Sequence, residues 1–209
     1  MDQNRNNRNK LLAEKVIKGL TSRNMTGYYA ENREEAKKLA LSLIPEGAVV
    51  SWGGSTSISE IGLKQAVIEG NYKEVNRDIA KDRRAAELAA FDADWFLCST
   101  NAMTEDGVLV NIDGNGNRVA CMVYGPKHVL FIVGMNKVMK DLPAAISRAR
   151  NEAAPINAAR FSIETPCKKI GSCSDCKSKD TICDQFLITR FEKHAGRYHI
   201  ILVNDELGF

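Results

Sequence analysis

From Lys10 to Leu20 apolar residues recur at helical spacing, with Leu11, Leu12, Val16, Ile17 and Leu20 on one face. A second helix is predicted to start at Asn32, because Glu35 three residues on completes a capping box, and to end before Pro45-Glu46-Gly47. The short β-prone run Ala48-Val49-Val50-Ser51-Trp52 stops at Gly53-Gly54-Ser55-Thr56-Ser57, and a helical pattern of Ile58, Ile61, Leu63, Ala66 and Val67 then runs to Gly70. Ser57 and Glu60 again have capping-box spacing. These residues form a strand, loop, helix unit.

The pattern then repeats. A charged helix is predicted from about Arg77 to Phe91, followed by a buried strand, Trp95-Phe96-Leu97-Cys98, that exits through Ser99 to Met103. The runs Val108 to Ile112 and Arg118 to Val123 flank Asp113-Gly114-Asn115-Gly116-Asn117, whose Asp-Gly and Asn-Gly pairs suit a hairpin turn, so an antiparallel pair is expected there. Val129 to Val133 reads as a fully apolar strand ending at Gly134, Asp141 to Arg160 as an Ala-rich helix, and Phe186 to Arg190 and Tyr198 to Asn204 as the last strands. Alternating strands and helices imply an α/β fold with a mainly parallel sheet flanked by helices, to which the hairpin and the C-terminal strands add antiparallel edges.

Composition narrows the classes. The 209 residues suffice for one large domain, and 44% hydrophobic with 26% charged residues is ordinary for a folded globular chain. With 29 basic against 26 acidic residues, a net +3 is too small to argue for nucleic acid. The polar stretch Met1 to Arg8 lacks the apolar core of a secretory signal, and no run is long enough for a membrane span. A cytoplasmic location is therefore expected, where thiols stay reduced and the six cysteines act as core residues, ligands or reactive groups.

The glycine-rich loop carries the first chemical suggestion. In an open parallel sheet ligands bind beyond the carboxyl ends of strands, where helix N-termini aim unpaired N–H groups outward. Gly53 and Gly54 let the backbone approach a ligand, and Ser55, Thr56 and Ser57 add hydroxyls, so a small anionic ligand suits the loop if it faces a cavity. The loop matches neither the dinucleotide fingerprint nor the Walker motif. A tight turn with Ser57 as helix cap is the competing reading.

The run from Ser51 to Leu63 resembles the motif of the LUD family, the lactate-utilization proteins, which share a fold with ribose-5-phosphate isomerase and CoA transferases. The resemblance continues through Asp94 to Asn111, which also looks like the related methylthioribose-phosphate isomerases, and through Gly125 to Val138. It implies a single LUD domain over 1–209, with a helical N-terminal extension over 1–30 and a cysteine-rich insert over 165–185. It further implies that Gly53 to Ser57, Asn101 to Asp106, Asn111, Asp113, Gly134, Asn136 and Lys137 approach one cleft. Asp106 and Asp113 would then handle protons or orient hydroxyls, Asn101, Asn111 and Asn136 would bind ligand, and Lys137 would pair with a carboxylate or phosphate. Turn chemistry explains Asp106-Gly107 and Asp113-Gly114 equally well. The nucleophilic glutamate of CoA transferases and the full acidic motif of ribose-5-phosphate isomerase are not placed on this sequence, so those specific reactions are not assumed; a sugar-phosphate isomerase- or CoA-transferase-like enzyme and a non-catalytic ligand-sensing or assembly subunit are the alternatives. The family's link is to oxidation of lactate to pyruvate, with iron–sulfur oxidoreductase subunits as partners.

The second chemical suggestion lies between residues 167 and 183. Five residues separate Cys167 from Cys173, two separate Cys173 from Cys176, and six separate Cys176 from Cys183. The Cys-x-x-Cys core with two flanking cysteines is a set of four thiolates for a metal centre, and Lys168, Lys169, Lys177 and Lys179 could offset its charge. Spacing favours zinc and the family resemblance an iron–sulfur cluster. Disulfides and free thiols are the alternatives. Cys98 and Cys121, in apolar surroundings, are expected to be packing residues.

Overall fold

The structure, a computed structural model, describes residues 2–209. Its first helix, α1 (Gln3–Ser22), is capped by Asp2 and buries Ala13, Val16 and Leu20, the face that the periodicity foretold. A strand follows that the sequence pattern did not reveal, β1 (Thr26–Ala30), within the stretch expected to be helical. Asn32 caps α2 (Arg33–Leu43) by accepting the Glu35 N–H at 2.9 Å, and β2 (Val49–Trp52) leads into the glycine-rich loop.

The helix expected from Ile58 to Gly70 is two helices, α3 (Thr56–Glu60) and α4 (Leu63–Glu69), divided by Gly62 at φ +72°. The cap is Ser55, whose hydroxyl accepts from Ile58 N, and not Ser57. After β3 (Lys73–Val75), the charged helix begins six residues later than expected as α5 (Arg83–Ala89), capped by Asp82 and extended by a 3-10 turn over Ala90–Asp92. The strands β4 (Trp95–Cys98), β5 (Ala102–Thr104) and β6 (Leu109–Asp113) follow.

The expected pairing of 108–112 with 118–123 does not occur, because residues 117–123 form the helix α6 (Asn117–Val123). Asp113 accepts the N–H groups of Gly116 and Val119, so the Asp-Gly turn chemistry opens a helix instead of closing a hairpin. The antiparallel partners of β6 are β5 and the later strand β9 (Gln185–Thr189).

Next come β7 (His128–Gly134), a 3-10 turn over Met135–Lys137, and β8 (Val138–Met139). The Ala-rich run is α7 (Leu142–Arg148), a π-helical turn over Ala149–Ala153, and α8 (Ala154–Ala158). Pro155 has no N–H to donate back into the preceding turn, which accounts for the wider turn there. The cysteine segment contributes only α9 (Pro166–Ile170), and the chain closes through β10 (Tyr198–Val203).

The six-stranded sheet is parallel throughout, in the order β1-β10-β7-β4-β2-β3, and the smaller sheet has the order β8-β5-β6-β9. β10, expected as an antiparallel edge, instead runs parallel between β1 and β7. The reason is compositional: Ile200, Ile201, Leu202 and Val203 are all buried, and a strand apolar on both faces belongs inside a parallel sheet.

Strand alternation divides the core in two. Phe96, Cys98, Val129, Phe131, Val133, Ile200 and Leu202 point toward α1 and the smaller sheet, whereas Leu97, Leu130, Ile132, Ile201 and Val203 point toward α2, α3 and α4. Cys98 and Cys121 are buried packing residues, as expected. Among the described residues no helix is long and apolar enough to cross a membrane.

Candidate functional site

Because all strands of the large sheet are parallel, the exits of β2, β4 and β7 lie at one edge, and Lys137 joins them. Its Nζ donates to Ser57 Oγ in α3 at 2.9 Å and to Ser99 Oγ just beyond β4 at 3.0 Å. Lys137, Ser57 and Ser99 are all buried. Burial pushes the Lys137 amine down to about 7, helped by repulsion from Arg148 and Arg118 and opposed by Glu60. No carboxylate takes a hydrogen bond from the amine, and its partners are two neutral hydroxyls.

The other predicted polar residues gather around a guanidinium. Arg118 donates to Ser99 O at 2.9 Å, Asn111 Oδ1 at 2.8 Å, Asn101 Oδ1 at 3.0 Å and Ile112 O at 2.8 Å, and its Nε lies 3.5 Å from Asp113 Oδ2. The Asn111 side chain is fully buried, and its Nδ2 has no hydrogen-bond partner. A second guanidinium, Arg148, donates to Asn136 O and Asn101 O and pairs with Glu152 at 3.1 Å. Arg118 and Arg148 lie close enough to Lys137 to push its amine down, while each guanidinium has a carboxylate partner of its own, Asp113 and Glu152. An amine bonded only to hydroxyls, with the unpartnered Asn111 Nδ2 elsewhere in the same region, is able to receive an anion.

The structure distributes the predicted residues unevenly. Gly53 lies against the Arg118 stem, where a Cβ would come within 3.0 Å, and Gly54 lies against Arg77 at the same distance. Gly54 is exposed, Ser55 and Thr56 are half-buried, and Gly53 and Ser57 are buried. Asp113 serves chiefly to cap α6. Asp106 stands apart, 64% exposed at its side chain, where it accepts from Thr104 and forms an ion pair with Arg23 of the α1 end. Neither partner contacts Lys137.

Over the site runs a strap, residues 205–208. Leu207 N donates to Asn136 Oδ1 at 3.2 Å, and Gly208 N donates to Glu60 Oε2 at 2.8 Å, so Glu60 holds the strap and not a helix cap. A Cβ on Gly208 would come within 2.8 Å of Ser57 Oγ and 3.3 Å of Lys137 Nζ. Gly134 makes the crossing possible, since a Cβ there would fall 2.6 Å from Leu207 N and 2.8 Å from Asp205 O. A cavity of about 430 Å³ lies between residues 123–128 and 194–197 and one of about 60 Å³ in the cysteine segment, and residues 53–57 line neither of them. The strap covers the buried end of the glycine-rich loop at Ser57.

Ser99, Arg118, Arg148 and the strap were not singled out from sequence. The available signal was a charge within an otherwise small or apolar run, Arg118 before Val119-Ala120-Cys121-Met122 and Arg148 in the Ala-rich helix.

The four cysteines meet at the smaller cavity, which Cys167, Cys173, Cys176 and Cys183 all line. All are free thiols. Among the described residues, no three His, Cys, Asp or Glu side chains are arranged to hold a metal ion. Burial first, and the three neighbouring thiols next, push Cys183 up to about 11. Asp175 N donates to Cys173 Sγ at 3.4 Å, Thr165 Oγ1 lies 3.3 Å from Cys167 Sγ, and Arg150 Nη2 reaches Cys173 Sγ at 3.6 Å. Two of the four lysines expected to balance the thiolates turn elsewhere: Lys169 pairs with Glu164 and Lys168 donates to Phe161 O. Arg150 places a guanidinium at Cys173 Sγ.

Comparison with known proteins adds the following. The sequence model of the LUD domain matches residues 13–203. A DUF162 family protein from Deinococcus radiodurans has a similar fold, with TM-score 0.54 at 10% identity over 93% of this chain and 97% of that one. eIF2B beta from Chaetomium thermophilum matches at TM-score 0.40 and 12% identity, over 53% of this chain and 44% of that one. A search of curated proteins found no relative.

Proposed function

As the chain belongs to the LUD domain family, we propose that it is a cytoplasmic component of lactate or related hydroxy-acid utilization. It binds a small anion beside Lys137 and carries a metal centre, an iron–sulfur cluster or zinc, on Cys167, Cys173, Cys176 and Cys183. Iron–sulfur oxidoreductase subunits are its expected partners. The supporting observation is Lys137, a buried amine held by two hydroxyls between two arginines with no carboxylate bonded to it.

The chemistry follows from that environment. A carboxylate or phosphate entering beside Nζ supplies the countercharge the site lacks, and the amine regains a proton to form a charge-assisted hydrogen bond. Ser57 and Ser99 hold the amine in place, while Asn111 Nδ2 is free to donate to a second ligand oxygen. The hydroxyls of Ser55 and Thr56, nearer the surface, meet the ligand on its way in.

Thermal stabilisation by L-lactate, pyruvate, phosphorylated sugars and CoA esters tests the proposal, since a ligand of the native state raises apparent stability. Stabilisation by the 2-hydroxy or 2-oxo acid, lost in Lys137→Met and in the Ser55→Ala/Thr56→Ala pair, is expected. Stabilisation only by sugar phosphates or CoA esters would replace the reading with an isomerase- or transferase-like one. Binding without turnover in the presence of redox partners would point to a sensing or assembly subunit.

A further inference from the structure

The smaller sheet ends on β9, which pairs with β6 along one edge and, among the described residues, with no strand along the other. Folded chains usually shield such an edge with charged residues, brevity or a covering segment. β3, at one end of the larger sheet, carries Lys73 and Glu74, and β8, at the far end of the smaller one, has two residues. β9 has five residues, Gln185-Phe186-Leu187-Ile188-Thr189, and none is charged. Side chains alternate across a strand, so Leu187 packs against the core while Phe186 and Ile188 share the opposite face, 48% and 43% exposed. An uncharged, largely apolar edge of this length is a template for another strand.

We propose that β9 pairs antiparallel with β9 of a second copy of this chain, about a two-fold axis at Leu187, so that two four-stranded sheets join edge to edge. The strand and its flanks are self-complementary in that register. Residues equidistant from the axis stand opposite each other, so Phe186 faces Ile188 of the second copy, Gln185 faces Thr189, and Asp184 faces Arg190. Apolar meets apolar, amide meets hydroxyl, and acid meets base. By symmetry each contact occurs twice.

The flanking charges select a copy of this chain as the occupant. Asp184 and Arg190 are both exposed, and among the described residues neither side chain has an ion-pair or hydrogen-bond partner. Continued by one residue at each end, the alternation puts both on the face of Phe186 and Ile188. Arg23 donates to the Arg190 carbonyl at 2.8 Å, which holds the exit of the strand without using the Arg190 guanidinium. A parallel arrangement of two copies would set Asp184 against Asp184 and Arg190 against Arg190, which like-charge repulsion disfavours. The antiparallel pairing also braces β6, since Leu187 and Gln185 stand opposite Asn111 and Asp113.

Sedimentation velocity of the full chain over a wide concentration range, with amide hydrogen exchange on the same samples, tests the pairing. The expected result is a reversible dimer whose formation slows exchange at residues 185–189. Ile188→Lys sets a charge against Phe186 of the second copy and should return the chain to monomer. Asp184→Arg and Arg190→Asp should each weaken the dimer at least about tenfold, and the two together should restore it, since opposed cross-strand charges repel in the single variants and attract again once exchanged. A chain that stays monomeric up to its solubility limit would overturn the proposal and leave the edge to a different protein. A dimer that Ile188→Lys leaves intact, with exchange at 185–189 unaffected by concentration, would overturn it equally. Failure of the double exchange to restore a dimer that each single variant weakens would overturn the antiparallel register.

Discussion

The Nζ of Lys137 stands 2.9 Å from the Oγ of Ser57, which ties the exit of β7 to the first turn of α3 beneath the surface. An amine in that position is costly to keep charged, and the fold pays through its pH dependence. The folded amine titrates near 7 and the unfolded one at its ordinary 10.5. Between those values the unfolded chain binds the extra proton, so stability rises with pH across that window. The desolvation penalty is fully present below about 7. Lys137→Met removes this contribution, and urea titrations of the two proteins should diverge in pH slope by at most about 1.4 kcal/mol per pH unit. Equal slopes would mean that the amine titrates as if in water.

Anion binding beside Lys137 should draw in a proton above pH 7. Affinity then falls by up to about tenfold per pH unit as the pH rises beyond that point, because the amine must first be protonated. Calorimetry in buffers of different ionisation enthalpy reads the proton directly. A binding enthalpy independent of buffer would contradict it.

The strap makes a steric prediction. Gly208 sits at φ +54° with Ser57 Oγ in the space a Cβ would need, so Gly208→Val should lift residues 205–208 away from Lys137. Reductive methylation followed by mass spectrometry should find Lys137 modified at least about tenfold faster than in the unaltered chain, as expected when a buried group gains local exposure. Equal rates would show that the strap does not control access.

Arg118 fills four acceptors from two segments with one planar fork. Lysine cannot reproduce that geometry. Arg118→Lys should therefore cost about 2–4 kcal/mol in denaturant unfolding, because buried acceptors on Asn101, Asn111 and Ile112 lose partners. A loss under about 0.5 kcal/mol, the range of ordinary surface changes, would show that water or neighbours replace the fork.

In the hydrophobic core, Phe131 lies at the middle of β7, fully buried against Tyr198 with ring centroids 5.0 Å apart. Phe131→Ala should destabilise by about 3–5 kcal/mol and leave the Lys137 site intact if the protein still folds. Calorimetric melting with and without a stabilising anion separates the two effects.

Much of this was legible in the residue pattern where neighbours in sequence decide the outcome. Asn32 capping α2, β2 leading into the glycine-rich loop, and the apolar β7 each follow from spacing and turn chemistry. Errors arose where one local signal serves two structures. Asp113-Gly114 and Gly116-Asn117 suit a hairpin and a helix start alike, and only the burial of Val119, Cys121 and Met122 on one face chooses the helix. β1 stayed hidden because Thr26-Gly27-Tyr28-Tyr29-Ala30 has no marked alternation, and it acquires its strand character by pairing with β10.

The sequence by itself determined the α2–β2–loop–helix unit, the buried strands β4 and β7 and the grouping of four thiols along the chain, because each depends on residues within a few turns of one another. The tertiary structure alone decided that Lys137 meets Ser57 and Ser99, that Arg118 gathers the asparagines, that Arg150 reaches Cys173 and that Gly208 closes over the amine. Those partners lie tens of residues apart, and parallel strands bring their loops to one edge only after the whole sheet has formed.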